Sequence, residues 1–213
     1  MKTLAVYSDE LKVLTPEEEA TFTDLYKKVI NNRIYQGKLY VLFGPNGAGK
    51  TSLAHRLKDF GIPEIISYTT RPIREGEVEG QDYYFVNQDT FRTINMMETT
   101  EYEGNYYGTN YDMVISALQA GNCFVIADVD GAKQFKQRLG TMYVQTICIW
   151  ANKNEVQQRM QQRGDSAAKI ERRIRHSLAK GEFDSWKDAD HVIINSNLDT
   201  AVEHLLRIVI GAV

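Results

Sequence analysis

Apolar residues recur along this chain in two alternating patterns. Short continuous apolar runs predict buried β-strands at 39–43, 64–67, 122–129, 142–150 and 191–195. Apolar positions spaced three and four residues apart predict helices at 50–60, 111–120, 131–138, 153–163, 168–180 and 198–209. Alternation of strand and helix is typical of a parallel sheet flanked by helices. The pattern therefore predicts an α/β fold from residue 38 onwards.

Residues 1–37 have a pattern of their own. A short strand is predicted at Thr3–Tyr7, and Thr15–Glu18 has the capping residues of a helix start. The apolar face of that helix, which extends to about Ile34, is expected to pack on the rest of the chain or on a second subunit; the sequence leaves both open. We therefore divide the chain into an N-terminal strand and helix extension and a domain at 38–213.

The alternation is interrupted between residues 72 and 108. This stretch is rich in Tyr, Gly and Glu, and short strand-like pieces surround a helix predicted near 88–97. Such a change of pattern within an α/β chain indicates a small inserted subdomain. The sequence thus predicts a core that carries a separate binding segment.

Composition narrows the class of protein. Of the 213 residues, 43% are hydrophobic and 25% are charged, which is ordinary for a globular protein with a sizeable core. The net charge of −3 and the isoelectric point near 5.9 give no electrostatic reason to expect nucleic acid or an anionic membrane as a partner.

The cysteines and the hydrophobic runs bear on the cellular compartment in which the protein is expected. Cys123 and Cys148 lie in apolar runs without the spacing of a disulfide framework or a zinc site, so we expect reduced core residues. The N-terminus lacks the apolar segment of a signal peptide, and no apolar run approaches the ~18 residues of a membrane span. We expect a soluble, cytoplasmic protein.

A phosphate-binding motif follows the first predicted core strand. Residues 44–51 read GPNGAGKT and fit the P-loop pattern GxxxxGK[ST], between a strand and a helix. Its glycines let backbone N–H groups point at phosphate oxygens, and the helix N-terminus adds positive potential. We expect Lys50 to reach the β- and γ-phosphates of ATP and the Thr51 hydroxyl to ligate Mg²⁺. The alternative is a glycine-rich turn that binds nothing. The expected ATP-binding residues are Gly44, Pro45, Asn46, Gly47, Ala48, Gly49, Lys50, Thr51 and Ser52.

A second candidate site lies in the inserted segment. Arg71 and Arg74 stand three residues apart, and Tyr83 and Tyr107 follow in tyrosine-rich runs. Arginines bind phosphate bidentately, and tyrosine hydroxyls add neutral donors. Taken singly, however, these residues also fit solvated surface charges and ordinary strand aromatics.

The order and spacing of these motifs resemble guanylate kinase, over about residues 38–210. The resemblance is carried by 44–51, 67–74, 76–85 and 104–109. It implies an ATP- and Mg²⁺-dependent kinase that phosphorylates GMP and dGMP, with a GMP-binding insert at about 68–109. The residues implied to hold the GMP phosphate are Arg71, Arg74, Tyr83 and Tyr107.

The same resemblance implies that Ser67, Glu98 and Thr109 read guanine. The chemistry of the base agrees, because the N1–H and N2 amine of guanine present two donors that a carboxylate accepts together. The acceptor O6 needs a hydroxyl donor. A site built on such pairing rejects adenine, which would leave buried polar groups unpaired.

A lid at about 159–173 is also implied by the resemblance. Its arginines would be Arg159, Arg163 and Arg173, with Arg172 as a neighbour that is not excluded, although alone they fit a solvated helix face. Asn195 matches an asparagine near the ATP adenine. Phosphoryl transfer depends on positioning and charge neutralisation, which lid arginines supply.

Asp128 and Asp130 lie where this chain departs from the family pattern D-x-D-x-Q-G. Aligned with gaps, Asp128 would orient the Mg²⁺ shell and Asp130 would help to read guanine. Aligned without gaps, Ala127 and Val129 fall there and the carboxylates face the other side of the strand. We favour the gapped alignment, since carboxylates on an apolar strand need a partner.

Two other functions stay open at this point. The altered aspartate segment and the extension fit a guanylate-kinase-like scaffold module that binds without catalysis. A kinase for another phosphorylated metabolite is the other alternative. The sequence does not decide between a monomer and a homodimer.

Overall fold

The computed structural model describes residues 4–7, 10–13, 15 and 35–211, and the chain divides into compact units at 1–34 and 35–213. In the first unit, strands β1 (Leu4–Tyr7) and β2 (Glu10–Val13) pair antiparallel. The strand predicted at the N-terminus is confirmed, whereas β2 was missed. The predicted helix beginning at Thr15 lies outside the described residues.

The strands and helices of the second unit are numbered in chain order. The strands are β3 (Leu39–Phe43), β4 (Tyr68–Thr69), β5 (Tyr84–Phe85), β6 (Met96–Tyr102), β7 (Asn105–Asn110), β8 (Cys123–Ile126), β9 (Val144–Trp150) and β10 (His191–Ile194). The helices are α1 (Lys50–Asp59), α2 (Gln88–Thr93), α3 (Tyr111–Ala120), α4 (Val129–Leu139), α5 (Lys153–Gln162), α6 (Ala167–Ala179) and α7 (Leu198–Ile210). The helices predicted in the core are therefore confirmed to within one or two residues.

A parallel sheet in the order β8-β3-β9-β10 forms the centre of this unit. Strand β3 is buried along its whole length, and its alternate side chains enter two separate cores. Leu42 packs with residues of α1, α5, α6 and α7 on one face. Leu39, Val41 and Phe43 pack with residues of α3 and α4 on the other. Burial on both faces explains why this strand is a continuous apolar run.

Two predicted strand boundaries were wrong. At 64–67 the chain runs beside β8 for one bridge, Glu64 to Phe124, and then leaves the core sheet to become β4. Strand β8 ends at Ile126 rather than at residue 129, because Asp128 is the N-cap of α4. Its carboxylate accepts the Gly131 N–H at 2.7 Å, and capping by aspartate outweighs the apolar character of the run.

The inserted segment forms a second sheet in the order β5-β4-β7-β6. The helix predicted near 88–97 ends at Thr93, and the following residues start the long hairpin of β6 and β7. In this hairpin Glu98 stands opposite Thr109 and Thr100 opposite Tyr107. Opposite residues project from the same face of a sheet, so the hairpin presents a row of polar side chains on one face.

Within the described part of the chain, the helices are too short or too polar to cross a membrane.

Candidate active site

The phosphate-binding loop connects β3 to α1, and its glycines adopt conformations that other residues rarely do. Gly44 and Gly49 have φ of 130° and 100°. A Cβ on Gly44 would lie 2.3 Å from the Ile149 carbonyl oxygen, and one on Gly49 would lie 2.2 Å from the Asn195 amide nitrogen. Both positions therefore require glycine for conformation and for space.

The amine of Lys50 lies over this loop. Its Nζ donates to the carbonyl oxygens of Gly44 at 2.7 Å and Pro45 at 3.1 Å. Burial lowers the pKa of the amine, and the negative charge of Glu182 is the largest influence that opposes this change. An ammonium group held in this way is available to pair with phosphate oxygens that approach the loop.

Asn195 and Arg159 hold the loop through one carbonyl group. The Ala48 oxygen accepts Asn195 Nδ2 at 2.7 Å and Arg159 Nη1 at 3.2 Å. Arg159 also donates to the Asn195 carbonyl. The amide of Asn195, expected beside an adenine, is therefore used to fix the loop, and the guanidinium expected on the lid contacts the loop directly.

Ser67, Thr109 and Glu98 form a hydrogen-bonded chain. The Thr109 hydroxyl donates to Glu98 Oε1 at 2.9 Å and lies 3.0 Å from Ser67 Oγ. Because the Thr109 hydroxyl has one proton and uses it in the hydrogen bond to Glu98, Ser67 must be the donor in the bond between the two hydroxyls. Burial, reinforced by Asp128, raises the pKa of Glu98 to about 7, although its hydrogen bond from Thr109 lowers it in part. The three residues expected to read the base are thus brought together.

Asp128 joins this group, whereas Asp130 does not. A Cβ built on Gly131 would lie 3.0 Å from Glu98 Oε2 and 3.3 Å from Asp128 Oδ1, so both carboxylates converge on that glycine. Asp130 lies on the exposed first turn of α4 and pairs with Lys180 at 3.0 Å. The expectation that the two aspartates share one face of a strand is wrong, because the strand has already ended.

Arg71 is fixed in the inserted segment, just after strand β4. Its side chain is only 7% exposed, and both its terminal nitrogens donate to Glu77 at 2.8 Å. The guanidinium lies 5.3 Å from the centre of the Tyr83 ring, a distance typical of a cation–π contact. Tyr107 packs edge-on against Tyr83 at 5.8 Å, and burial raises the pKa of the Tyr83 hydroxyl to about 12.

The sequence placed Arg71, Tyr83 and Tyr107 in one site, and the structure brings them together, with Arg74 exposed at its edge. The sequence interpretation missed Glu77, the carboxylate that orients Arg71. A carboxylate six residues after Arg71 in an arginine-containing run was the available signal.

The predicted lid arginines Arg163 and Arg173 converge on one carboxylate. Asp165, 7% exposed, pairs with Arg163, with Arg173 at 3.4 Å and with Lys169 at 2.7 Å. Burial alone would raise the pKa of Asp165, but the hydrogen bonds of Arg163 and Lys169 lower it to about 2. Asp165 is a second residue that the sequence interpretation missed.

Arg172 faces the inserted hairpin instead. Its Nε lies 2.6 Å from a carboxylate oxygen of Glu103, at the tip between β6 and β7. One helical turn further on, the His176 ring packs edge-on against Tyr102 at 4.4 Å. Helix α6 therefore contacts the hairpin that carries Glu98.

Comparison with known proteins identifies relatives of nearly the whole second unit of the chain. The guanylate kinase family profile matches residues 36–211. A guanylate kinase of Agrobacterium fabrum is 34% identical over 183 residues, which cover 82% of each chain. A guanylate kinase of Escherichia coli K12 is 35% identical over 185 residues, covering 82% of this chain and 87% of that protein. The crystal structure of guanylate kinase from Anaplasma phagocytophilum superposes with a TM-score of 0.61 at 24% identity, over 83% of this chain and 86% of that one.

Proposed function

The chain belongs to the guanylate kinase family, and we propose that its loop, its inserted sheet and its lid together transfer the γ-phosphoryl group of ATP to GMP. The observation that carries this proposal is the hydrogen-bonded chain Ser67–Thr109–Glu98, in which Thr109 and Glu98 are buried. A buried carboxylate held beside hydroxyls suits the edge of guanine, which presents two donors next to one acceptor. The products are GDP and ADP.

Guanine would be read by the two carboxylates and one hydroxyl. Ionised Glu98 accepts N1–H and one N2 proton, and Asp128 is close enough to Glu98 to accept the other N2 proton. The Thr109 hydroxyl keeps donating its hydrogen bond to Glu98, so Ser67 is the hydroxyl that can rotate away from Thr109 to donate to O6. We therefore assign Asp128 to the base pocket rather than to the magnesium shell, and we assign no role in base reading to Asp130.

Mg²⁺ would be held mainly by the nucleotide. Mg²⁺ prefers one or two protein oxygens together with substrate phosphates and water. The hydroxyl of Thr51, an exposed residue in the first turn of α1, fits that need. The ion would neutralise charge on the ATP phosphates.

Arginine and lysine side chains would catalyse the transfer of the γ-phosphoryl group by neutralising its negative charge. Arg71, Arg74, Tyr83 and Tyr107 hold the GMP phosphate, whose dianion attacks the γ-phosphorus in line and needs no general base. Lys50 and the lid residues Arg163 and Arg173 stabilise the charge on the transferring group. Closure of the lid at about 159–173 over the insert at about 68–109 would exclude water and suppress ATP hydrolysis.

The test is an ADP-release assay with ATP and Mg²⁺ on GMP, dGMP, IMP, AMP, CMP and UMP. We expect rapid turnover on the guanine nucleotides and loss of that turnover in Lys50→Met. A chain that binds GMP without turnover on any acceptor would instead be a scaffold module. Equal turnover on AMP and GMP would contradict the assignment of Glu98.

Asn195→Ala should weaken ATP binding selectively. The Ala48 carbonyl loses its shorter hydrogen bond, and the loop it fixes is the one that holds the ATP phosphates. We expect the KM for ATP to rise about tenfold, the value of one lost hydrogen bond, with the KM for GMP unchanged.

Asn197→Ala is the matched control for this change. Asn197 caps α7 by accepting the Thr200 N–H at 3.0 Å, so its loss should lower thermal stability without changing the KM for ATP. An equal rise in the KM for ATP in both variants would show that Asn195 acts through stability alone.

A further inference from the structure

Thr100 lies between the two ends of the proposed GMP site. On the polar face of the hairpin, Glu98 and Thr109 stand opposite each other at the base pocket. The next pair on that face is Thr100 and Tyr107, and Tyr107 belongs to the phosphate end. Thr100 thus projects toward the middle of the site, and neither the motifs nor the family resemblance gives it a role.

The Thr100 hydroxyl makes a short hydrogen bond to the carboxylate that stands beside Glu98. Its Oγ1 donates to Asp128 Oδ2 at 2.6 Å, while Asp128 Oδ1 accepts the Gly131 N–H at 2.7 Å. The two oxygens of Asp128 are therefore anchored from different elements, one by strand β6 and the other by helix α4. Each oxygen keeps a further acceptor position for a ligand proton.

Without that hydroxyl, the orientation of Asp128 would be weakly determined. The carboxylates of Asp128 and Glu98 converge on Gly131, and like charges repel strongly where water is scarce. A carboxylate anchored at one oxygen only can rotate away from its neighbour. A donor on its second oxygen opposes this rotation and neutralises part of the charge.

The neighbouring Thr99 contacts α4 in a different way. The Gln134 amide accepts the Thr99 N–H at 3.2 Å and donates to the Thr99 carbonyl at 2.9 Å. These bonds use the Thr99 backbone, and the Thr99 side chain is exposed. The strand is thus docked on the helix independently of the Thr100 hydroxyl, which leaves that hydroxyl available for a separate purpose.

We propose that Thr100 is a positioning residue that holds the Asp128 carboxylate against the 2-amino group of the substrate base. This inference rests on the proposed function and adds a determinant of its specificity. IMP differs from GMP by lacking the 2-amino group, so the Thr100–Asp128 pair should account for part of the preference for GMP over IMP.

The experiment compares Thr100→Val, Thr100→Ser and Thr99→Val in the full chain. We expect Thr100→Val to raise the KM for GMP about tenfold and to lower the GMP-to-IMP ratio of kcat/KM by a similar factor, the value of one hydrogen bond to a charged group. The KM for ATP should not change. Thr100→Ser, which restores the hydroxyl, should recover the ratio, and Thr99→Val should match the wild type.

Two results would overturn the inference. One is a Thr100→Val variant with the wild-type GMP-to-IMP ratio; the other is an equal loss on GMP, IMP and ATP, which would indicate a general structural defect. Calorimetric binding of GMP and IMP gives the same ratio without turnover. A wild-type chain that binds GMP but does not phosphorylate it would therefore count against the proposed function, while the binding ratio still decides the role of Thr100.

Discussion

Replacing Glu98 by glutamine is expected to lower kcat/KM for GMP by about 10³-fold or more, because a site built on polar pairing rejects a mismatched partner that strongly. Glutamine keeps the size of the side chain but presents an amide in place of the second acceptor oxygen. The N1–H and N2 amine of guanine would then meet a donor inside a buried pocket. The ADP-release assay with GMP and AMP measures the loss.

The same substitution should stabilise the fold at alkaline pH. Burial raises the pKa of Glu98 from 4.5 to about 7, so the unfolded chain releases this proton at lower pH than the folded chain. The stabilising contribution of the protonated group is fully present below pH 4.5 and is lost as the pH rises through 7. Above pH 7 the ionised Glu98 costs the fold about 3 kcal/mol, at about 1.4 kcal/mol for each pKa unit.

Urea unfolding at pH 4.5 and pH 8 tests this effect. Glu98→Gln should be more stable than the wild type at pH 8, by a difference that narrows toward pH 4.5. Glu101→Gln, an exposed position on the same strand, is the control and should change neither activity nor the pH dependence. A Glu98→Gln variant equally destabilised at both pH values would contradict the raised pKa.

The second large effect is expected for Arg71→Lys, with a fall in kcat/KM for GMP of about 10³-fold. Lysine keeps the charge but cannot make the two parallel bonds to Glu77 or the contact with the Tyr83 ring. The Glu77 carboxylate, only 19% exposed, is left partly unpaired. Steady-state kinetics in which the GMP and ATP concentrations are varied separately should show a changed kcat/KM for GMP and an unchanged KM for ATP.

Arg74→Lys is the matched control for this change. Arg74 is exposed, and in the proposed site its side chain reaches the GMP phosphate from the edge. We therefore expect a loss of about tenfold, the size of one polar contact. Equal losses in the two variants would mean that burial and the bond to Glu77 do not set the importance of Arg71.

The fold was predictable wherever local pattern and tertiary packing agree. Strand β3 and helix α1 follow from a continuous apolar run, a glycine-rich turn and helical spacing, and each element is where the sequence places it. The end of β8 was not predictable from the same reasoning. There an apolar run favours strand, a capping aspartate favours helix, and the choice depends on the docking of α4 against β6.

At the candidate site, the sequence predicted which residues lie close together better than it predicted the contacts among their side chains. The motifs name Arg71, Glu98 and Thr109, but the spacing of residues does not give the direction of their side chains. Asp128 and Asp130 show this limit, since they stand only two positions apart and yet the first carboxylate converges with Glu98 on Gly131, while the second pairs with Lys180 on the surface. Glu77 and Asp165 were missed for the same reason.

Asp165 has a consequence for the order of events during turnover. Its carboxylate pairs with Arg163, Arg173 and Lys169. It therefore already supplies the negative charge that would otherwise have to come from a substrate anion to hold these three cations together. Long cationic side chains lose much rotational freedom when they are fixed, and here that loss accompanies folding rather than catalysis. In the proposed mechanism, an incoming phosphoryl group competes with this carboxylate for arginines that are already in place. The proposed lid should therefore exchange one anion for another instead of assembling a site anew.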